Sequence, residues 1–188
     1  MSLHDSLLVS DERLDAAADE IAQAPLASLA RLLATMLAGA AVSGIAVYVG
    51  SRWLTMLWNF DLGFVPVLAG RVDPLRATLF AMLAGPLLLA AAFTLVAPFF
   101  GGPRRPLAAL AVAVHGMMPV YIVGALMFFA PAVMLMLLAF FVGCLRWGRG
   151  AQRLLGVPAG EKAEFIALAL LAASVALQIA SSLAADLL

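Results

Sequence analysis

Apolar residues run along this chain in long stretches, broken by short charged or glycine- and proline-rich ones, and the stretch lengths predict the elements. From Leu32 to Ser51 there are twenty residues without a charge, flanked by Arg31 and Arg52. A helix needs about 20 residues to cross a ~30 Å hydrocarbon core, so 32–51 is the first expected span. Asp73 and Pro74 suit an N-cap and a first helical position, opening a second span over about 76–100 in which Pro86 predicts a kink. Gly101, Gly102, Pro103, Arg104, Arg105 and Pro106 then break the helix in a polar turn.

After that turn, Leu107 to Leu145 is thirty-nine residues with no carboxylate, lysine or arginine. One straight helix of that length would measure ~58 Å at ~1.5 Å per residue, nearly twice the bilayer core. The run must fold back, and Phe128, Phe129, Ala130 and Pro131 are the expected reversal, with Pro131 opening the return helix. Spans three and four are thus 107–127 and 131–146. The fourth is short, which implies that protein shields its end or that the membrane thins there. A loop from Arg146 to Glu164 and a fifth span over about 165–185, with Ser174, Gln178, Ser181 and Ser182 as its polar groups, complete the pattern.

Two segments break this rhythm. Over 53–76, Trp53, Trp58, Phe60 and Phe64 alternate with Asn59, Asp61, Pro66, Arg71 and Asp73, the mixture of amphipathic aromatics and polar groups expected at a membrane interface, either lying in it or re-entering. Residues 1–30 carry Asp5, Asp11, Glu12, Asp15, Asp19 and Glu20 against Arg13, the reverse of the basic start of a signal peptide. Ser10 before Asp11 and Glu12 reads as an N-cap, and Leu14, Ala17, Ile21 and Ala24 recur at helical intervals. This predicts a short amphipathic helix over 11–24 that lies on the membrane or docks against a partner, with a solvated acidic leader as the alternative.

Composition sharpens the class. Of 188 residues 65% are apolar and 12% charged, and the mean hydropathy is +1.07, so the chain is expected to be an integral membrane protein. Its formal net charge of zero leaves no field to hold nucleic acid. With the N-terminus inside, eight of the eleven Lys and Arg residues fall on the cytoplasmic side and three outside, which selects an N-in, C-out orientation. The expected fold is therefore all-α: an acidic leader over 1–30 and a five-helix transmembrane bundle over 31–188.

An ionisable residue within an apolar span is a candidate site, and His115 is the clearest, ~15 Å past Arg105 by helical rise and so near the bilayer midplane. Pro119 has no N–H for the carbonyl of residue 115, which frees an acceptor beside the imidazole. Three readings stand open: a structural histidine bonded to a facing helix, through Gln178 or that carbonyl; a proton or ligand site built on His115, Pro119 and Gln178; and a soft-metal or haem site with Met127, Met134, Met136 and Cys144. Arg146, Arg149 and Arg153 either hold anionic headgroups or an acidic partner, or only enforce topology. Gly39 with Ser43, and Ala40 with Gly44, form a small-residue face on which another helix can approach closely, in a partner or a second copy. No nucleophile triad, metal-spaced cluster or phosphate-binding glycine loop is present in the sequence, so neither catalysis nor a cofactor is expected.

Residues Phe100 to Gly160 resemble the second half of the Yip1 domain, above all its bacterial inner-membrane members. The likeness rests on Gly101 and Gly102 before span three, Pro119 within it, Pro131 opening span four, and Gly156, Val157 and Pro158 before span five. Relatives usually carry a tyrosine where this chain has Cys144, Leu145, Arg146 and Trp147, and the acidic-Leu-Tyr-Gly-Pro motif of eukaryotic members is absent. The resemblance implies residence in a bacterial inner membrane. The Rab-binding role of eukaryotic members does not carry over to residues that do not match. The expected function is a noncatalytic scaffold or adaptor that binds membrane proteins or organises lipid. The alternative is a small transporter or channel-like subunit with a polar path around His115, Pro86, Pro119 and Gln178.

Overall fold

The computed structural model describes residues 11–58, 74–127 and 133–187, and these are helical apart from short connections. Six α-helices are described: α1 (Asp11–Gln23), α2 (Pro25–Trp58), α3 (Pro74–Val96), α4 (Pro106–Leu126), α5 (Val133–Leu154) and α6 (Lys162–Leu187). A 3-10 turn, Ala97–Phe100, follows α3. Within the described residues α2, α3, α4 and α6 are long and apolar enough to cross a membrane. The expected interfacial segment around Asp61 and the reversal at Phe128–Pro131 lie outside the described residues.

Several boundaries differ from expectation, and charge is the reason. The first helix of the bundle starts at Pro25, seven residues before the uncharged stretch, and carries Arg31 inside it. The fourth extends through Arg146, Arg149 and Arg153 to Leu154, a helix of 22 residues, so the anticipated loop from Arg146 begins only after Leu154. Arginine is a good helix former, and a charge marks where apolar surroundings end without ending the helix. What stops α5 is backbone geometry. Gly156 takes a left-handed φ of 70°, Val157 N–H reaches back to the carbonyl of Ala151 (3.2 Å), and Pro158 follows. The turn that follows α3 ends similarly, on Gly101 at φ 75°. The two turns pack together, because a side chain on Gly102 would strike the Leu155 carbonyl.

Helix α4 is the centre of the bundle. It runs parallel to α2: Gly39 lies under the ring of Tyr121, Ser43 beside Gly124, and Gly50 against the backbone of Met127. It runs antiparallel to α5, with Gly116 under the indole of Trp147 and Gly150 against Val112. Every residue from Ala108 to Val114 is buried. Between apolar helices in lipid the hydrophobic effect offers little drive, so close packing of small residues and interhelical hydrogen bonds carry the association. Both are present. Trp147 Nε1–H donates to the Ala113 carbonyl (3.2 Å) and Tyr121 O–H to the Met82 carbonyl (3.2 Å). The second bond has a specific cause: Pro86 lacks the N–H that would normally bond Met82 O, and the tyrosine of the neighbouring helix supplies the donor.

At one end of the bundle Phe93 stacks on Phe165 (5.4 Å between ring centroids), and Phe100 and Trp147 pack edge-on to Phe165 and Phe93 (5.6 and 6.2 Å). Edge-on and offset rings suit the aromatic quadrupole. This cluster ties α6 to α3 and α5 near its first turn, while farther along α6 Leu171, Val175 and Ile179 are exposed.

Candidate functional site

The amphipathic helix expected over 11–24 forms as α1 (Asp11–Gln23) and packs against this chain's own α2, α4 and α5. Pro25 opens α2 with only Ala24 between the helices. The fold-back is held by the Ser28 hydroxyl, which donates to the Glu20 carbonyl (3.2 Å), and by an ion pair between Arg31 and Glu20 (2.6 Å). Ala18 and Ile21 rest on the main core.

A groove of about 310 Å³ lies where α1, α2 and α4 meet. Helix α1 contributes Ala16, Glu20 and Ile21 to it. The face of α2 that carries Ser28, Arg31, Leu32 and Thr35 repeats at three- and four-residue spacing and forms the second wall. The third wall is Ala111, Val114, His115 and Met118 of α4, spaced in the same way. Thr35 turns its hydroxyl to the Arg31 carbonyl (2.9 Å), so it offers the groove mostly its methyl group. Glu20, Arg31 and His115 are left as the polar groups that face a ligand.

His115 is exposed, and its Nδ1 lies 2.8 Å from the carbonyl of Ala111, one turn earlier. A carbonyl only accepts, so Nδ1 carries a proton and donates it, leaving Nε2 as the ring's other polar atom. The imidazole bonds neither Gln178 nor the carbonyl that Pro119 frees; it uses its own preceding turn. Nor does it stand alone, because it shares the groove with the Glu20–Arg31 pair.

The other sequence candidates lie elsewhere. Gln178 is exposed on α6, a helix that packs on α3 and α5, and it does not line the groove; half-buried Pro119 does not line it either. Met127 and Met136 are buried in a separate cluster, and Cys144 packs beside the main core. Among the described residues no three His, Cys, Asp or Glu side chains converge. Arg146, Arg149 and Arg153 share one face of α5 by their spacing, the first two half-buried and the third exposed.

The small-residue face of α2 does meet another helix closely, but the helix is this chain's own α4. Ser43 is fully buried with its hydroxyl on the Gly39 carbonyl (2.6 Å), and Gly44 meets Leu79 of α3. Gly39 and Ser43 are therefore occupied inside the bundle and not offered to a partner. Sequence reasoning missed that Glu20 and Arg31 share a groove with His115, since the residues lie far apart along the chain and the fold-back at Ala24 brings α1 to the site. It also missed Tyr121, although the carbonyl freed by Pro86 announced that some donor was needed.

No family model, curated protein or solved structure matches the chain.

Proposed function

We propose that this chain is a noncatalytic, multi-pass protein of the bacterial inner membrane that binds lipid or membrane-protein partners as a scaffold or adaptor. In this reading it has five spans, N-in and C-out, with α5 as the fourth span beside the four long apolar helices. The eight-to-three distribution of Lys and Arg supports the orientation. The likeness of residues 100–160 to the Yip1 domain belongs to the same reading.

The observation that carries it is the character of the groove between α1, α2 and α4. It is walled mainly by apolar side chains and holds one acid, one base and one imidazole, which suits recognition better than bond-making. A transport path would need His115, Pro86, Pro119 and Gln178 along one route. Pro86 is buried within α3 and Gln178 stands on the far helix, so the binding reading fits the geometry better.

The test is reconstitution of the full chain into sealed vesicles, paired with mild-detergent purification. The expected result is no ion or solute flux, together with lipid or a membrane protein retained in stoichiometric amount. A flux that His115→Leu abolishes would replace this reading with the transport one.

A further inference from the structure

We infer that the groove between α1, α2 and α4 is a headgroup site for a zwitterionic primary-amine phospholipid of the phosphatidylethanolamine type. The inference rests on the membrane-bound reading above and names the ligand class of the same groove. Three observations support it.

The first is charge. The Glu20 carboxylate and Arg31 guanidinium are paired at 2.6 Å, and both remain partly exposed, with side-chain exposures of 38% and 69%. A purely anionic headgroup on Arg31 would strand the carboxylate beside it, and a lone cation on Glu20 would strand the guanidinium. A headgroup with one phosphate and one ammonium exchanges the single ion pair for two, phosphate on Arg31 and ammonium on Glu20, and strands nothing.

The second is the tautomer of His115. With the Nδ1–H committed to the Ala111 carbonyl, Nε2 is the polar atom that His115, a lining residue of the groove, has left for a ligand, and in that tautomer it accepts. A primary ammonium has three N–H donors and can reach both the carboxylate and this nitrogen. A trimethylammonium has none, so the site discriminates against choline headgroups. A glycerol headgroup brings hydroxyls but no positive charge for Glu20.

The third is placement. Arg31 immediately precedes the uncharged stretch of α2, the kind of position from which arginines reach headgroups. From there α2 and α4 run in parallel toward the membrane interior, and Leu32, Val114 and Met118 give the groove an apolar wall for the start of the acyl chains.

The experiment uses the full chain, stripped of lipid in mild detergent and offered an equimolar mixture of phosphatidylethanolamine, phosphatidylcholine and phosphatidylglycerol with identical acyl chains. Native mass spectrometry reads the single-lipid adducts. Phosphatidylethanolamine should be retained about tenfold over each of the others, the worth of one charge-assisted hydrogen bond. Glu20→Gln and Arg31→Gln should each abolish the preference, and His115→Leu should narrow the margin over phosphatidylcholine. Glu20→Asp and Arg31→Lys keep the charges and should keep the preference, which separates loss of recognition from loss of fold. Soluble phosphoethanolamine at the same concentration should compete poorly, because it lacks chains for the apolar wall.

Equal retention of the three lipids, a preference for phosphatidylglycerol, a preference that survives both Gln variants, or full competition by phosphoethanolamine would overturn the inference. Any of these in a chain that still shows no flux would leave the scaffold reading standing. A flux dependent on His115 would remove that reading itself.

Discussion

Helices α4 and α6 look alike to a hydropathy scale, yet they occupy opposite surroundings. The apolar window of α6 is the more hydrophobic of the two, but 11% of it is buried inside the protein, against 56% of that of α4. Hydropathy reports exclusion from water and does not separate lipid from protein as the alternative. What separates them is side-chain size and spacing. Helix α4 carries Ala108, Ala109, Ala111 and Ala113 in its first turns and Gly116 and Gly124 where neighbours approach, while α6 presents Leu168, Leu171, Val175 and Ile179 outward. The first half of α4 is a protein core written in membrane-like residues.

The largest effects should come from the contact at the heart of α4. Trp147→Ala removes an indole that covers Gly116, closes on Phe93 and bonds Ala113, and is expected to cost about 3–5 kcal/mol. Gly116→Leu, which drives a side chain into the same ring, should cost about 3 kcal/mol or yield no folded protein. Both are read by thermal unfolding in detergent. Wild-type melting of either variant would mean that α4 and α5 do not meet there.

Tyr121→Phe should cost about 1 kcal/mol, the usual worth of a hydrogen bond between membrane helices. In a Pro86→Ala background residue 86 regains its N–H, Met82 O no longer depends on the phenol, and the same substitution should cost almost nothing. Additive effects in this double-mutant cycle would dismiss the proposed compensation. The smallest changes belong to α6. Swaps among apolar residues at Leu171, Val175 and Ile179 should stay within about 0.5 kcal/mol. Glu20→Gln should likewise move stability by less than about 1 kcal/mol, as expected for an exposed pair, even where it removes lipid selectivity.

Much of the helical layout was legible in the sequence because length and the absence of charge constrain it. The glycine–proline turn at 101–106 and the Gly156–Val157–Pro158 step mark real helix ends, through backbone geometry that those residues favour. The errors at Arg31 and Arg146 share one cause, a boundary of charge taken for a boundary of structure. For the site, His115 stood out as an ionisable group in an apolar run, but its companions depend on how α1 folds back, and that is decided by contacts far apart in sequence. Gly39 and Ser43 signalled a close helix contact without saying whose helix, since a small-residue face reads the same for an intramolecular neighbour as for a partner.

The contrast between α4 and α6 is tested most directly by photolabelling the unmodified chain in bilayers that contain a lipid with a diazirine on its acyl chain, followed by mass-spectrometric mapping. Label should concentrate on Leu168, Leu171, Val175 and Ile179 and be absent from Ala108–Val114. Labelling of Ala108–Val114 as dense as that of α6 would contradict the claim that α4 is the protein-enclosed centre of the bundle.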